Sequence, residues 1–196
     1  MQLVQFPLVH GHSAPKNTGH SVSAHTMALL IVAGACFSTA ASAETPAAIS
    51  RSVVVQGPPA EVWAMIGAFC AIEQWLPPVG TCSEDGAVPP TRTLVTRDGT
   101  ATFVERQTAR SDSETFYSYV FVASPLPLSR YSATIRVKSN GEGESTVTWS
   151  GTYTPDAGKE NEAAAALDGI YTSGLESIQR LAAAQLARPA SHRVAP

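Results

Sequence analysis

The body of this chain contains no histidine. Of the 5 histidines, His10, His12, His20 and His25 precede residue 27, and His192 lies close to the C-terminus. Histidine is the commonest general base and metal ligand near neutral pH. Its absence removes Ser-His-Asp and Cys-His nucleophilic arrangements from the body. Zinc would be left with Cys70, Cys82 and carboxylates, an unusual donor set, so no metal site and no cofactor are expected. A Gly-rich phosphate loop and a dinucleotide fingerprint are also missing. No run of Lys or Arg occurs and the net charge is −3, which excludes a nucleic-acid footprint. Charged residues are sparse at 15%, whereas apolar ones reach 44%, enough to build a core rather than a disordered chain.

Acidic residues are absent before Glu44, and Lys16 is the only Lys or Arg there. Within this leader, residues 27–43 read MALLIVAGACFSTAASA. An apolar stretch, Ala28 to Phe37, is followed by small residues ending in Ala41-Ser42-Ala43, the pattern of a secretory signal peptide with an A-x-A cleavage site. The apolar run is too short to span a bilayer, which takes about 20 residues. Cleavage after Ala43 and a periplasmic or secreted location are therefore expected, with no stable membrane insertion afterwards. Residues 1–26 read as a disordered extension or as sequence preceding a true start at Met27, and 189–196 as a disordered tail. Cleavage removes Cys36. Cys70 and Cys82 then either pair, in an oxidising compartment, or stand as two small buried hydrophobes.

The remaining stretch, 44–188, reads as one domain. SVVVQ at Ser52–Gln56 is a β-branched strand stopped by Gly57-Pro58-Pro59. Proline suits a helix start, so Ala60–Gly67 is expected as a short helix, with a second over Ala68–Trp75. Strands follow at about 79–84, 91–97, 100–110, 114–123, 130–139 and 144–154, divided by turn signals. Glu160–Ala187 is a long amphipathic helix, whose stripe is Leu167, Ile170, Tyr171, Gly174, Leu175, Ile178 and Leu181. Strands joined by short turns form an antiparallel meander, and its apolar face is the natural partner of that helix.

Turn chemistry predicts register. Asp98-Gly99 signals a two-residue hairpin that pairs Arg97 with Thr100, Leu94 with Phe103 and Arg92 with Glu105. A three-residue loop, Gly141-Glu142-Gly143, sets Ile135 opposite Trp149 and Tyr131 opposite Tyr153. A three-residue loop at Ser111-Asp112-Ser113 sets Glu105 opposite Tyr119 and Phe103 opposite Phe121. The inner face then carries Leu94, Phe103, Phe121, Ile135, Val147 and Trp149, crossed by a polar group of Arg92, Glu105, Gln107, Tyr117 and Tyr119. Two readings of that group stay open. It is either a buried Arg–Glu pair satisfied by tyrosine hydroxyls, or a site in which Arg92 holds an oxyanion, Glu105 accepts a proton and a tyrosine donates. Trp75, beside Leu76-Pro77-Pro78, reads either as a lining of a cavity mouth or as a core residue. Leu126 lies in the stiff loop Ser124-Pro125-Leu126-Pro127-Leu128, which reads as a cavity rim or partner contact, or else as a simple edge connection.

Five segments in this order resemble the SRPBCC superfamily of START-like, helix-grip proteins: PPAEVWAMIGAFCAIEQWLPPV, TRTLVTRDGTATFVERQTARSD, YSYVFVASPLPLSRYSATIRV, STVTWSGTY and GIYTSGLESIQRL. More narrowly, they resemble its polyketide cyclase/dehydrase-type branch, which includes periplasmic accessory proteins of methanol oxidation. The resemblance implies an α+β fold. A curved seven-stranded antiparallel sheet wraps on the C-terminal helix, two short helices follow the first strand, and a ligand cavity lies between sheet and helix. Candidate ligand-binding residues are Trp75, Arg92, Leu94, Phe103, Glu105, Tyr117, Tyr119, Phe121, Leu126, Tyr131, Ile135, Trp149, Tyr171 and Leu175. The leading expectation is an exported binding protein for a small apolar or amphipathic molecule. The alternatives are a cyclase or dehydratase using Arg92, Glu105 and the tyrosines, and an accessory protein acting on a periplasmic partner enzyme.

Overall fold

A computed structural model describes residues 45–187. The leader, its cleavage site and the tail after 188 lie outside the described residues. Strand β1 (Ala47–Gln56) is followed by helix α1 (Pro59–Ile66), a 3-10 turn (Phe69–Ala71) and the single-turn helix α2 (Ile72–Trp75). Strands β2 (Val79–Glu84), β3 (Thr91–Thr96), β4 (Thr102–Ser111), β5 (Phe116–Ala123), β6 (Leu128–Gly141) and β7 (Glu144–Pro155) lead to helix α3 (Glu160–Ala187). The strands form one 7-stranded antiparallel sheet in the order β1-β7-β6-β5-β4-β3-β2. It is the expected meander with the first strand returned to the far edge. Strand β1 begins at Ala47, earlier than the β-branched run suggests. Ala47, Ala48 and Ser50 carry little intrinsic strand preference, but all find partners along β7.

Proline starts α1 as expected: Pro58 caps it in an extended conformation and Pro59 occupies its first turn. No residue of the first turn needs the missing proline N–H. The chain before it is pinned to the β6–β7 turn, because Gly57 N–H donates to the Gly143 carbonyl (2.8 Å) and the Ser145 hydroxyl to the Gly57 carbonyl (2.7 Å).

Three turns depart from expectation, with different consequences. The β3–β4 register is the expected one, Arg92 opposite Glu105 and Leu94 opposite Phe103. The two-residue hairpin itself does not form. The exposed Asp98 carboxylate folds back over the turn and accepts from the Thr96 hydroxyl (2.6 Å), the Thr100 N–H (3.0 Å) and the Thr100 hydroxyl (2.9 Å). Arg97 and Thr100 therefore leave the ladder, and these donors hold the Asp98 carboxyl down at about 2. At β6–β7 the turn is Glu142-Gly143, both at positive φ (50 and 79), and the extra residue is a bulge between Ser139 and Gly141. A two-residue turn plus a bulge has the same parity as a three-residue loop, so Ile135 still faces Trp149. A second bulge between Ser129 and Ser132, with Arg130 at φ 51, breaks the expected Tyr131–Tyr153 pairing. The β4–β5 register is corrected outright. Glu105 faces Phe121 and Gln107 faces Tyr119. The loop runs Asp112–Thr115, with Thr115 at φ 50, and a bulge between Gln107 and Ala109 absorbs the odd residue. The faces are kept, but the pairs are displaced by two.

Helix α3 buries Ala163, Leu167, Tyr171, Gly174, Leu175, Ile178 and Ala182, while Ile170 and Leu181 flank this stripe half-buried. Each of its fully buried Leu and Ile side chains contributes roughly 1.5–3 kcal/mol. Gly174 lets the helix descend onto the tryptophans: a Cβ there would lie 2.9 Å from Trp149 and 3.2 Å from Trp75.

Candidate functional site

A cavity of about 110 Å³ lies between the sheet and α3. Strands β3 and β4 contribute Leu94, Phe103 and Glu105; β5, β6 and β7 contribute Tyr119, Phe121, Tyr131 and Trp149; α3 contributes Leu167 and Ile170. The wall opposite is Ile72, Leu76, Pro78 and Val79, from α2, the start of β2 and the segment between them. Pro78 is exposed, and Phe103, Phe121 and Ile170 are half-buried. These four side chains form the mouth.

Seven candidates from the sequence, Leu94, Phe103, Glu105, Tyr119, Phe121, Tyr131 and Trp149, border the cavity. The others lie elsewhere. Trp75 is 1% exposed and packs edge-to-face on Trp149 at 5.4 Å, so it is core rather than mouth. Leu126 packs half-buried against the core away from the rim. Tyr117 lies among Trp63, Phe69 and Tyr119. Ile135 and Leu175 are core, and Tyr171 stands behind Trp149, stacked on it at 4.3 Å. The wall formed by residues 72–79 escaped the sequence reading, because nothing in two short helices says which sheet face they close. Leu167 and Ile170 were visible as helix stripe, but periodicity does not separate a core contact from a cavity wall.

Arg92 does not reach the cavity. It is fully buried behind Glu105, with Nε donating to Glu105 Oε2 at 2.6 Å and Nη2 2.5 Å from the same oxygen. Its Nη1 donates to the Phe69 carbonyl, and the guanidinium lies 4.0 Å above the Phe69 ring centroid. Burial alone would lower the Arg92 pKa, but the Glu105 carboxylate and the neighbouring tyrosines outweigh it and raise it, so the side chain stays charged. Burial pushes the Glu105 carboxyl above the usual glutamate range, against the pull of Arg92.

Hydroxyls connect the sheet to the helix. Trp149 Nε1 donates to Tyr119 Oη (3.0 Å), Tyr119 lies 3.3 Å from Tyr131, and Tyr131 lies 2.7 Å from Tyr171. Burial holds all three phenols above the ordinary tyrosine range. This chain needs space at Gly151. An added Cβ would lie 2.7 Å from Tyr171 Oη and 2.8 Å from the Ser132 carbonyl oxygen. The second contact is backbone and cannot swing aside. Gly151→Ala should therefore cost about 1–3 kcal/mol, the usual range for overpacking. The denaturation midpoint measures it; an unchanged midpoint would show that Tyr171 and β6 yield freely.

The disulfide Cys70–Cys82 joins the 3-10 turn to edge strand β2, and Glu73 accepts the Cys82 N–H at 2.9 Å. Among the described residues no group of three His, Cys, Asp or Glu side chains is placed to hold a metal ion.

A curved antiparallel sheet gripping one long helix, with an apolar cavity between them, defines a helix-grip protein of the polyketide cyclase/dehydrase type. The chain belongs to the family described as polyketide cyclase/dehydrase and lipid transport, whose profile matches residues 46–183. It is similar to the protein XoxI from Bacillus cereus, with 33% identity and a TM-score of 0.68 over 72% of this chain and 99% of that one. It is also similar to an uncharacterised protein from Bacillus thuringiensis, with 34% identity and a TM-score of 0.65 over 69% and 98%. The Zhui aromatase/cyclase from a Streptomyces species shares the fold, at 14% identity and a TM-score of 0.62 over 76% and 100%. No curated protein matches the chain by sequence.

Proposed function

We propose that this domain is an exported binding protein that holds one small apolar molecule, no larger than a single ring, without changing it chemically. The observation that carries this reading is the cavity itself: about 110 Å³, bounded almost entirely by carbon, with a half-buried apolar mouth. A cavity of about 150 Å³ takes up benzene, so one ring enters when the mouth side chains shift rotamer. The acid–base reading is less well supported. Arg92 sits behind Glu105 instead of facing the cavity, and the sequence places no histidine between residues 45 and 187. Export rests on the A-x-A pattern ending at Ala43, and the mature protein should begin at Glu44; an intact Met1 or Met27 would sink that part.

Titration of the mature domain with toluene, followed by NMR, tests the binding reading. Saturable shifts are expected at Leu94, Phe121 and Leu167. Leu167→Trp, which fills the cavity from the helix side, should abolish them. Shifts that do not saturate, or that fall away from the cavity, would remove the reading.

A further inference from the structure

The cavity is unevenly supplied with polar atoms, and the imbalance has a direction. Both Arg92 contacts fall on one carboxylate oxygen, Glu105 Oε2. Among the described residues Oε1 accepts no hydrogen bond. Glu105 is only 4% exposed, yet it borders the cavity. The other polar groups on the wall are matched with one another: the Trp149 N–H with Tyr119, and the Tyr131 hydroxyl with Tyr119 and Tyr171. A carboxylate oxygen without a protein donor at a largely apolar wall is costly, and the cavity that Glu105 borders is a direction from which a donor can come.

We infer that the natural ligand carries a neutral hydrogen-bond donor, a hydroxyl or ring N–H on a single apolar ring, and seats it on Glu105 Oε1. This rests on the binding reading above and specifies the class of ligand. The pair behind the cavity is Arg⁺ with Glu⁻ and has no net charge. An ammonium group would lose its hydration without gaining a net counter-charge. A carboxylate or enolate would meet the carboxylate head-on, since Nη1 of Arg92 is engaged by the Phe69 carbonyl and its guanidinium face is covered by the Phe69 ring. The site is thus an acceptor closed to anions, the reverse of an oxyanion-holding arginine.

Parallel NMR titrations of the mature domain with toluene, phenol and benzoate test this. A hydrogen bond to a charged acceptor predicts phenol binding about tenfold or more tightly than toluene, with no saturable benzoate binding. A double variant, Arg92→Met with Glu105→Leu, removes the acceptor together with its partner and should erase the phenol preference. Equal binding of toluene and phenol would overturn the donor inference and leave the binding reading standing. Benzoate binding as tightly as phenol, or a phenol preference surviving in the double variant, would also overturn it. If no ring compound binds, the binding reading falls and this inference falls with it.

Discussion

Arg92→Ala is expected to destabilise the domain by about 3–5 kcal/mol, the cost of leaving one member of a buried ion pair alone. Glu105 would keep its burial and lose its only cation, and the Phe69 carbonyl would lose its donor. The loss should depend on pH with a definite sign. Burial already raises the folded-state pKa of Glu105, and removing Arg92 raises it further. Above the unfolded glutamate value of about 4.3, the folded variant then binds more protons than the unfolded chain. Its stability is fully present below that value and falls as pH rises through the folded pKa. Denaturation curves at pH 4 and pH 8 should separate the variant from the parent more widely at pH 8. The paired replacement, Arg92→Met with Glu105→Leu, should recover most of the loss, because apolar residues of similar volume substitute well for buried ion pairs. A small, pH-independent loss for Arg92→Ala would mean that water reaches Glu105 and the pair is not buried in solution.

Breaking the Cys70–Cys82 disulfide should cost about 2–4 kcal/mol, the usual range for a native crosslink. The bond spans a sequence separation of 12. The closed loop carries Ile72, Leu76, Pro78 and Val79, the whole wall of the cavity opposite the sheet. Reduction is therefore expected to loosen that wall first. Amide exchange should rise over residues 69–82 while β5 and β6, at the centre of the sheet, stay protected. Cys70→Ser with Cys82→Ser should show the same pattern without reductant. Identical denaturation curves with and without reductant would show that packing, not the crosslink, holds the wall.

Much of this architecture is legible in the chain because its signals are local. The 3.6 period of Leu167, Tyr171, Leu175 and Ile178 marks the buried face of α3, and Gly57-Pro58-Pro59 marks where β1 gives way to α1. The Arg92–Glu105 pairing follows from a turn only a few residues long. Register across β4–β5 is a different matter. The four residues of its loop and the bulge at Gln107–Ala109 compensate each other. Alternation of side chains, which is all that a sequence displays, is blind to a displacement of two. Bulges that preserve parity leave no trace in the pattern.

The candidate site divides along the same line. An inner sheet face rich in aromatics with one Arg–Glu pair follows from alternation and turn chemistry alone. Whether Arg92 points into the cavity or stands behind Glu105 depends on Phe69, which comes from a different part of the chain and caps the guanidinium. Trp75 and Trp149 occupy space that a wider cavity would have used, because Gly174 brings α3 down onto them. The residue order was thus sufficient for the elements, their succession and the face each presents, since neighbours within a few residues decide these. Cavity size, its mouth and the placing of Glu105 on its wall arose only in the assembled structure. They are set by contacts between residues far apart in sequence, where a bulge or a glycine shifts a side chain by a few ångströms and no periodicity records the shift.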